Sequence, residues 1–397
     1  MICERAKRIL RRYYLCDNCL GRLFAQLLTG LSNAERGRAI RTVLALEYEA
    51  RPFHIKIENL IGFKFRSKVE KAEKVKCFVC GNLFERIDDI AKDMLSKAKR
   101  FEYHTFVVGS KISQNILENE DKVIKAAGIE WYEPIKLELN RELGKAIEKK
   151  TGKKADERRP DLLMMYDKGR IDIEPQPLYI YGMYKKLVSG IPQTEKEGYR
   201  QSIQSILSRP ALRMTKGKKT YFHGMGREDI DVRCLTGRPF VLEIKKPVKR
   251  SISLAVLRNE INKSKKIKVS ALRFCDRSDI VKIKTLQPDK SYRAIIETDK
   301  EIDSKILKRL TKLNRIRQRT PKRVLKRRPD IIRERYVKDV KWRIIGKRRF
   351  ELVIRAQAGL YVKEMITGDG GRTTPSVSSI LGMSAKPLKL DVIKIWL

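Results

Sequence analysis

The sequence predicts an α+β protein of two domains. At about 150 residues per domain, a chain of 397 residues has room for two or three. Strand-like and helix-like patterns alternate through the first half and are joined by basic loops. Prolines punctuate the chain at 174–177 and again at 191–194. We therefore expect one domain over residues 1–185 and a second over residues 186–397.

The elements of the first half follow from the spacing of apolar residues. Helical spacing predicts helices, and strict alternation predicts strands. We expect helices at 1–48, 83–100 and 113–127, and strands at 52–65 and 101–109. Residues 135–150 should begin as a strand and end as a helix. Residues 160–174 should form a hairpin around Lys168-Gly169.

The second half reads in the same way. We expect helices at 251–263 and 302–313, and strands at 291–296, 350–355 and 387–396. Residues 359–376 should begin as a helix and continue as a glycine-rich loop.

The stretch 221–244 is the most informative of the second half. Asp229, Asp231 and Arg233 alternate with Ile230 and Val232, which predicts a strand with the charged residues on one face. A turn at Gly237 should then lead into a second strand over 240–244. Two carboxylates and an arginine on one face suggest a site, although a solvated strand face with a salt bridge fits the spacing equally well.

The charge balance indicates a polyanionic partner. Lysine and arginine number 90 against 48 acidic residues, a net charge of +42. Such a surplus favours binding to RNA or DNA, and a membrane surface is the competing polyanion. No apolar run of 18 residues and no charged-then-apolar leader is present, so we expect a soluble cytoplasmic protein without a membrane partner.

Two Cys-x-x-Cys pairs predict a structural metal site. Cys16 and Cys19 form the first pair, Cys77 and Cys80 the second, and a glycine follows each pair closely. Four thiolates make a closed tetrahedral zinc site, which leaves no open position for catalysis. Two buried reduced pairs, or a redox pair, are the alternatives. The total of seven cysteines argues against a disulfide framework.

Absent motifs narrow the chemistry. The chain has no Gly-x-x-x-x-Gly-Lys-Ser/Thr motif, and Gly224-Met-Gly226 lacks the third glycine of a dinucleotide motif. Its three histidines show no metal-ligand spacing. We therefore expect a reaction run by one aspartate with no catalytic cofactor. The basic block 318–329 is suited to phosphate contacts, although a solvated basic loop would have the same composition.

Several motifs resemble one enzyme family. Gly226-Arg-Glu-Asp229 resembles the nucleophile motif of pseudouridine synthases. The longer run 226–233, with Gly237-Arg-Pro-Phe240, is similar to the Pus10 family of archaeal and eukaryotic tRNA pseudouridine synthases. The two cysteine pairs resemble its zinc site. The further matching blocks are Arg159-Pro-Asp-Leu162, Ile191-Pro-Gln-Thr194, Gln318-x-Thr-Pro-x-Arg-Val-Leu325 and Gly368-Asp-x-Gly-Arg-Thr-x-Pro375.

This resemblance implies a fold and an activity. The fold is a zinc-stapled, THUMP-type RNA-binding domain followed by a catalytic domain with a mixed, mostly antiparallel sheet flanked by helices. The activity is isomerisation of uridine to pseudouridine in the T-loop of tRNA, at position 54, position 55 or both. The family is not the only reading of these patterns: a non-catalytic tRNA-binding or folding factor on the same scaffold is one alternative, and a methylating or thiolating THUMP enzyme is another.

The resemblance also implies roles for single residues. Asp229 would be the nucleophile, and Lys363 would pair with it. Tyr292 would stack on the uracil. The apolar wall would consist of Val362 and Leu390. We further expect Arg233 to orient the substrate or Asp229, with Asp231 as the alternative nucleophile because it shares the predicted face.

Overall fold

The computed structural model describes residues 2–66, 73 and 75–397, and they form two compact units, Met1–Gln176 and Pro177–Leu397. The division lies earlier than the boundary expected at 185/186. The reason is a strand, β5 (Leu178–Lys186), which pairs with two strands of the second unit. Within the described residues, no helix is long and apolar enough to cross a membrane.

The first unit combines helices with a small mixed sheet. Its helices are α1 (Ile2–Leu10), α2 (Asp17–Gly21), α3 (Asn33–Ala50), α4 (Ile87–Ala98), α5 (Gln114–Ala127) and α6 (Ile135–Thr151). Its strands are β1 (Thr105–Lys111), β2 (Lys154–Ala155), β3 (Leu162–Asp167) and β4 (Arg170–Pro175). The sheet order is β2-β1-β3-β4, in which only the β3–β4 hairpin is antiparallel. One apolar core connects these helices and strands.

Two expectations for the first unit were wrong. The segment Ile135–Thr151 is helical throughout, because Ile135, Leu139, Leu143 and Ile147 are all buried at a spacing of four residues. The short alternation at its start was misleading, since Leu137 is exposed. Residues 52–65 form no strand and contain a single turn of 3₁₀-helix, Ile57–Leu60.

The second unit is built on one large sheet. Its remaining strands are β6 (Lys219–Gly224), β7 (Arg233–Lys245), β8 (Ile267–Cys275), β9 (Lys290–Thr298), β10 (Arg315–Arg319), β11 (Ile332–Gly346), β12 (Arg349–Ala356), β13 (Thr373–Thr374) and β14 (Ala385–Ile395). Its helices are α7 (Ile203–Thr215), α8 (Leu254–Asn262), α9 (Arg277–Thr285), α10 (Ser304–Lys308), α11 (Val362–Thr367) and α12 (Val377–Leu381).

The sheet order is β13-β10-β11-β12-β9-β14-β7-β5-β8, and β6 pairs with the far end of β7. Only β7 and β14 run parallel, so the sheet is mixed and mostly antiparallel. Helices α7 and α8 share one apolar core with the β5–β7–β8 side. Helices α9 to α12 belong to a second core, formed with β9, β12 and β14.

The strand predicted over residues 229–233 does not form. β6 ends at Gly224, and residues 225–232 make a loop that closes with a turn between Asp229 and Val232. The turn predicted at Gly237 is also absent from the described chain, because β7 runs on to Lys245. At Gly237 the strand passes so close to Met183 that a Cβ would lie 3.1 Å from its sulfur, which explains glycine inside a strand.

Candidate active site

A basic cleft in the second unit brings most of the predicted site residues together. Its volume is about 710 Å³, and its lining includes Asp229, Tyr292, Val362, Lys363 and Leu390. These five side chains come from the 225–232 loop, β9, α11 and β14. The cleft therefore unites residues that are widely separated in the sequence.

Hydrogen-bond donors bind the backbone carbonyls of the loop that carries Asp229. The ammonium of Lys186, in β5, donates to the carbonyl oxygens of Asp229 at 3.2 Å and Ile230 at 2.7 Å. The backbone amide of Gly190 donates to the same Ile230 oxygen at 2.8 Å. Lys186 is only 1% exposed, so its hydrogen bonds are shielded from water and hold the peptide of Asp229 firmly.

The start of the same loop is held by two further side chains. Arg238 donates to the Met225 carbonyl at 3.0 Å, and Gln193 donates to the Gly226 carbonyl at 3.1 Å. Gly226 has φ of +67°, a left-handed conformation that favours glycine. Gln193 and Arg238 belong to two of the family-like blocks, and each of these blocks holds the start of the Asp229 loop by a hydrogen bond to its backbone.

A buried ion pair completes the support. Glu228 and Arg238 approach to 3.0 Å and are almost fully buried. The Tyr184 hydroxyl donates to Glu228 at 3.2 Å and accepts a hydrogen bond from Gln193 at 3.0 Å. The pair buries the Glu228 side chain in the wall of the cleft, next to Asp229.

The Asp229 carboxylate contacts two cations. Arg323 donates to one oxygen at 3.0 Å and lies 3.0 Å from the other. Lys363, the partner that the resemblance implies for Asp229, lies 3.5 Å from it, but its shorter contacts are two of 2.7 Å to Asp231. Burial acts to raise the pKa of Asp231, but the hydrogen bond and the charge of Lys363, together with the charge of Arg323 and a backbone hydrogen bond, outweigh it, so the pKa is lowered. Asp231 is mostly exposed, whereas Asp229 lies deeper.

Arg323 is itself fixed by a second acid. It donates to Glu364 at 2.6 Å, and Glu364 is buried at the start of α11. Burial alone would lower the pKa of Arg323, but Glu364 and Asp229 raise it overall. Arg323 therefore stays charged and bridges two carboxylates.

A glycine-rich loop braces the segment that carries Arg323. Gln318 exchanges hydrogen bonds with the backbone of Tyr361, at 3.0 and 2.8 Å. Asp369 accepts from the backbone amide of Lys322 at 3.0 Å, and Arg372 donates to the Thr320 carbonyl at 2.8 Å. The two family-like blocks at 318–325 and 368–375 thus pack on each other, and this packing fixes the orientation of Arg323.

Tyr292 contributes an aromatic wall to the cleft. It lies in β9, opposite Ile354 of β12 and Val392 of β14. Burial is the main cause that raises its pKa to about 12, and the charge of Asp229 contributes a smaller share. The hydroxyl is therefore neutral at physiological pH. Together with Val362 and Leu390, the ring offers an apolar surface beside Asp229.

Arg233 does not take the place expected for it. It donates to both oxygens of Asp391, at 2.6 Å each, and is not among the described residues that line the cleft. Strand alternation explains the difference, because β7 begins at Arg233 and turns this side chain away from the cleft.

Sequence reasoning missed Arg323, Glu364, Glu228 and Arg238 as site residues. Both arginines lie inside motifs that were recognised as family-like blocks, and that was the available signal. Other cations also line the cleft, and they fit a polyanionic ligand: Arg227, Lys284, Lys290, Arg328, Arg333 and Arg335.

The four predicted metal ligands meet in the first unit. The sulfurs of Cys16, Cys19, Cys77 and Cys80 all lie within 4.8 Å of one another. All seven cysteines are free thiols, and three of the four in the cluster are buried. A tetrahedral ion with bonds of about 2.3 Å to sulfur needs sulfurs about 3.8 Å apart. The 3.6 Å between the sulfurs of Cys16 and Cys80 fits that geometry, so the cluster could hold a metal ion.

Comparisons with known proteins identify the family. The family model described as "Pus10, C-terminal" matches residues 179–396. The model described as "Pus10 THUMP domain, archaeal" matches residues 90–167. The chain belongs to the Pus10 family. The resemblance drawn from the sequence is confirmed, and so is the α+β fold with a THUMP domain.

Curated relatives match this Pus10-family chain along its length. A protein of Pyrococcus furiosus named tRNA pseudouridine synthase Pus10 is 40% identical over 402 residues, covering 100% of this chain and 98% of its own. The protein of that name from Thermofilum pendens is 39% identical, with 99% and 95% covered. That from Methanocaldococcus jannaschii is 38% identical, with 98% and 93% covered.

Among solved structures, one chain from "Crystal Structure of a Cbf5-Nop10-Gar1 Complex" matches this Pus10-family chain with a TM-score of 0.33 and 15% identity. The match covers 54% of this chain and 48% of that chain.

Proposed function

We propose that this chain is a tRNA pseudouridine synthase that isomerises uridine in the T-loop, at position 54, position 55 or both, with Asp229 as nucleophile. Membership of the Pus10 family supports the isomerase class, because the curated relatives are named tRNA pseudouridine synthases. The position in tRNA rests on the resemblance of the motifs. The cytoplasmic location expected from the sequence stays a prediction.

The observation that carries the proposal is the placement of Asp229 in the cleft. A carboxylate can attack only when ionised, and removal from water disfavours its ionised form. Arg323 at 3.0 Å and Lys363 at 3.5 Å offset that cost. Asp229 lines the cleft beside Tyr292, and Asp231 is not among the described lining residues. This arrangement favours Asp229 over Asp231 as the nucleophile.

The proposed chemistry conserves every atom of the nucleotide except one exchanged proton. Asp229 attacks C1′ of the target nucleotide and displaces N1, and the uracil rotates. C5 then bonds to C1′ and displaces the Asp229 carboxylate, C5 loses its proton to solvent, and N1 gains one. No cosubstrate is consumed.

The neighbouring residues take supporting roles. A uridine must leave its stack to be reached, and the ring of Tyr292 compensates part of that cost by stacking on the uracil. Val362 and Leu390 close the apolar side of the pocket. The cations along the cleft bind the phosphates on either side of the target. Because Arg233 is engaged by Asp391, we assign it to stability and not to the substrate.

We further propose that the ion at the cysteine cluster is structural zinc. Four thiolates suit zinc and leave no open coordination position, so the residues would join α2 to the 77–80 turn without taking part in catalysis. Asn82 supports the site, since its side chain accepts a hydrogen bond from the backbone of Cys77 at 2.8 Å.

One assay tests the main proposal. Purified protein is mixed with an unmodified tRNA transcript that carries tritium at C5 of uridine, without an added cofactor. Release of tritium, mapped to position 54 or 55, supports the isomerase. Tight tRNA binding without release would instead indicate a non-catalytic tRNA-binding factor on the same scaffold.

A further inference from the structure

A second cavity of the catalytic unit lies along the same strand as the cleft. It has a volume of about 640 Å³ and is lined by the 195–202 segment, the first turns of α7 and residues 218–220. We call it the β6 groove. Residues 222–224, at the other end of β6, line the cleft that holds Asp229. At about 3.4 Å per residue, the strand links the two cavities over roughly 13 Å.

The charge of the groove is positive and largely uncompensated. Five cations line it, namely Lys196, Arg200, Arg209, Lys218 and Lys219, against the two acids Glu195 and Glu197. Within the part of the chain that the structure describes, none of these five cations forms an ion pair with a carboxylate. Uncompensated cations around a concave surface attract an anionic ligand.

One exposed tyrosine accompanies these cations. Tyr199 borders the groove and is 40% exposed, with the ammonium of Lys196 lying 5.6 Å from its ring centroid. Tyr221 lines neither cavity, because strand alternation places its ring on the face of β6 opposite to Thr220, which packs on α7. An exposed aromatic ring beside cations suits an unstacked base joined to phosphates.

The groove is rigidly joined to the active site. The carbonyls of Pro192 and Gln193 accept from the first amides of α7, at 3.0 Å each. Ser208 of α7 lies 2.5 Å from the hydroxyl of Thr220 in β6. Because Gln193 also holds the Gly226 carbonyl, the segment that borders the groove is fixed to the loop of Asp229.

We propose that the β6 groove is a second RNA subsite, which binds phosphates and an unstacked base of the substrate strand that continues out of the cleft. The proposal rests on the proposed function, since it names where that same substrate extends. Tyr199 stacks on the unstacked base, and the lysines and arginines of the groove neutralise the neighbouring phosphates.

The test compares two triple variants in the full-length chain. K196Q/R200Q/K218Q neutralises the groove. R258Q/K265Q/K268Q removes the same charge from exposed positions of the same unit, outside both cavities. Affinity for unmodified tRNA transcript is measured by filter binding at several salt concentrations, and turnover by tritium release.

We expect the groove variant to raise Kd and KM about tenfold or more, with kcat at saturating tRNA unchanged. Its salt slope should fall by about two, since each of three lost phosphate contacts on a single strand removes about 0.7. The variant Y199A should weaken binding about fivefold or more without changing the salt slope. A photocrosslink from the tRNA to the peptide containing Tyr199 should form with the wild-type chain.

The subsite is refuted if both triple variants lose the same affinity and the same salt slope, or if the groove variant lowers kcat alone. Binding is measured independently of turnover, so the two proposals can fail separately. Absence of tritium release by the wild-type chain would refute the isomerase while the binding comparison still decides the groove.

Discussion

Arg323 grips both carboxylate oxygens of Asp229, each at 3.0 Å, although the two residues are 94 positions apart. The same guanidinium holds Glu364 at 2.6 Å. Planar guanidinium groups suit such paired contacts, and lysine cannot reproduce them. Arg323 therefore sets the orientation of the Asp229 carboxylate as well as its charge.

Replacing Arg323 should reduce catalysis more than binding. In Arg323→Gln, the loss of two charge-assisted hydrogen bonds to Asp229 should lower kcat about 10- to 100-fold. Arg323→Lys should retain more of the wild-type kcat than Arg323→Gln, but not all of it. Single-turnover tritium release and filter binding of tRNA measure the two effects. Arg328→Gln is the matched control, because Arg328 lines the same cleft and has no ion pair recorded in the described chain. Equal losses of kcat in both variants would contradict the orienting role.

The two aspartates near Lys363 should differ sharply. Asp229→Asn should abolish tritium release, because an amide is not a nucleophile here. Asp231→Asn should cost less than about tenfold, because Asp231 is exposed and contributes mainly by holding Lys363. Both variants remove one carboxylate that contacts the same lysine, so each serves as the control for the other. Full activity of Asp229→Asn with an inactive Asp231→Asn would move the nucleophile to Asp231.

Arg233 should matter for stability. Burial acts to raise the pKa of Asp391, but Arg233 and Arg293 lower it overall. A lowered carboxyl pKa stabilises the fold above the unfolded pKa of about 3.9, and this stabilisation disappears as pH falls below it. Arg233→Met leaves Asp391 buried with only Arg293, at 3.2 Å. The expected cost at pH 7 is about 2–4 kcal/mol, shrinking below pH 4.

Urea denaturation across pH measures that cost. The double variant R233M/D391N should recover most of the stability at pH 7, because no buried charge is then left unpaired. Activity per folded molecule should stay near that of the wild type. A normal stability with a strongly raised KM would return Arg233 to the substrate-binding role first expected from the sequence.

The cysteine cluster should hold one metal ion. Cys77→Ser should lose the ion and lower the melting temperature of the first unit, because metal binding is coupled to folding. Cys275→Ser should keep the bound ion and the melting temperature of the first unit, since Cys275 is a free thiol outside the cluster. Elemental analysis of the purified variants counts the metal. Cobalt substitution should give the absorption bands of a tetrahedral thiolate site. Retention of a full equivalent of metal in Cys77→Ser would rule out four-thiolate binding.

Local patterns predicted the parts of the site that lie within a few residues of one another. The cysteine pairs and the Gly226-Arg-Glu-Asp229 motif are both of this kind. The backbone around Asp229 could not be inferred, because alternation over five residues fits a strand and an extended loop equally well. The loop conformation is stabilised by the hydrogen bonds that Lys186 donates to the Ile230 carbonyl and Arg238 donates to the Met225 carbonyl. These contacts are made only in the folded chain.

The same limit explains the other misreadings. Alternation at the start of α6 lasted too few residues to separate a strand from a helix, and burial of Leu139, Leu143 and Ile147 decided for the helix. Arg323 sits in a basic block whose composition predicts only contact with phosphates. Its partner Glu364 is 41 positions away, and no periodicity in the sequence connects them.

The pairing of β6 with β7 has a consequence for substrate length. Slippage by one residue would invert β6 and turn Thr220 away from the groove, whereas insertion of two residues would preserve its facing and lengthen the strand by about 7 Å. Relatives with a longer β6 would then grip the RNA farther from the modified nucleotide. A change in the length of β6 would thus change the number of nucleotides between the modified uridine and the nucleotides held in the groove.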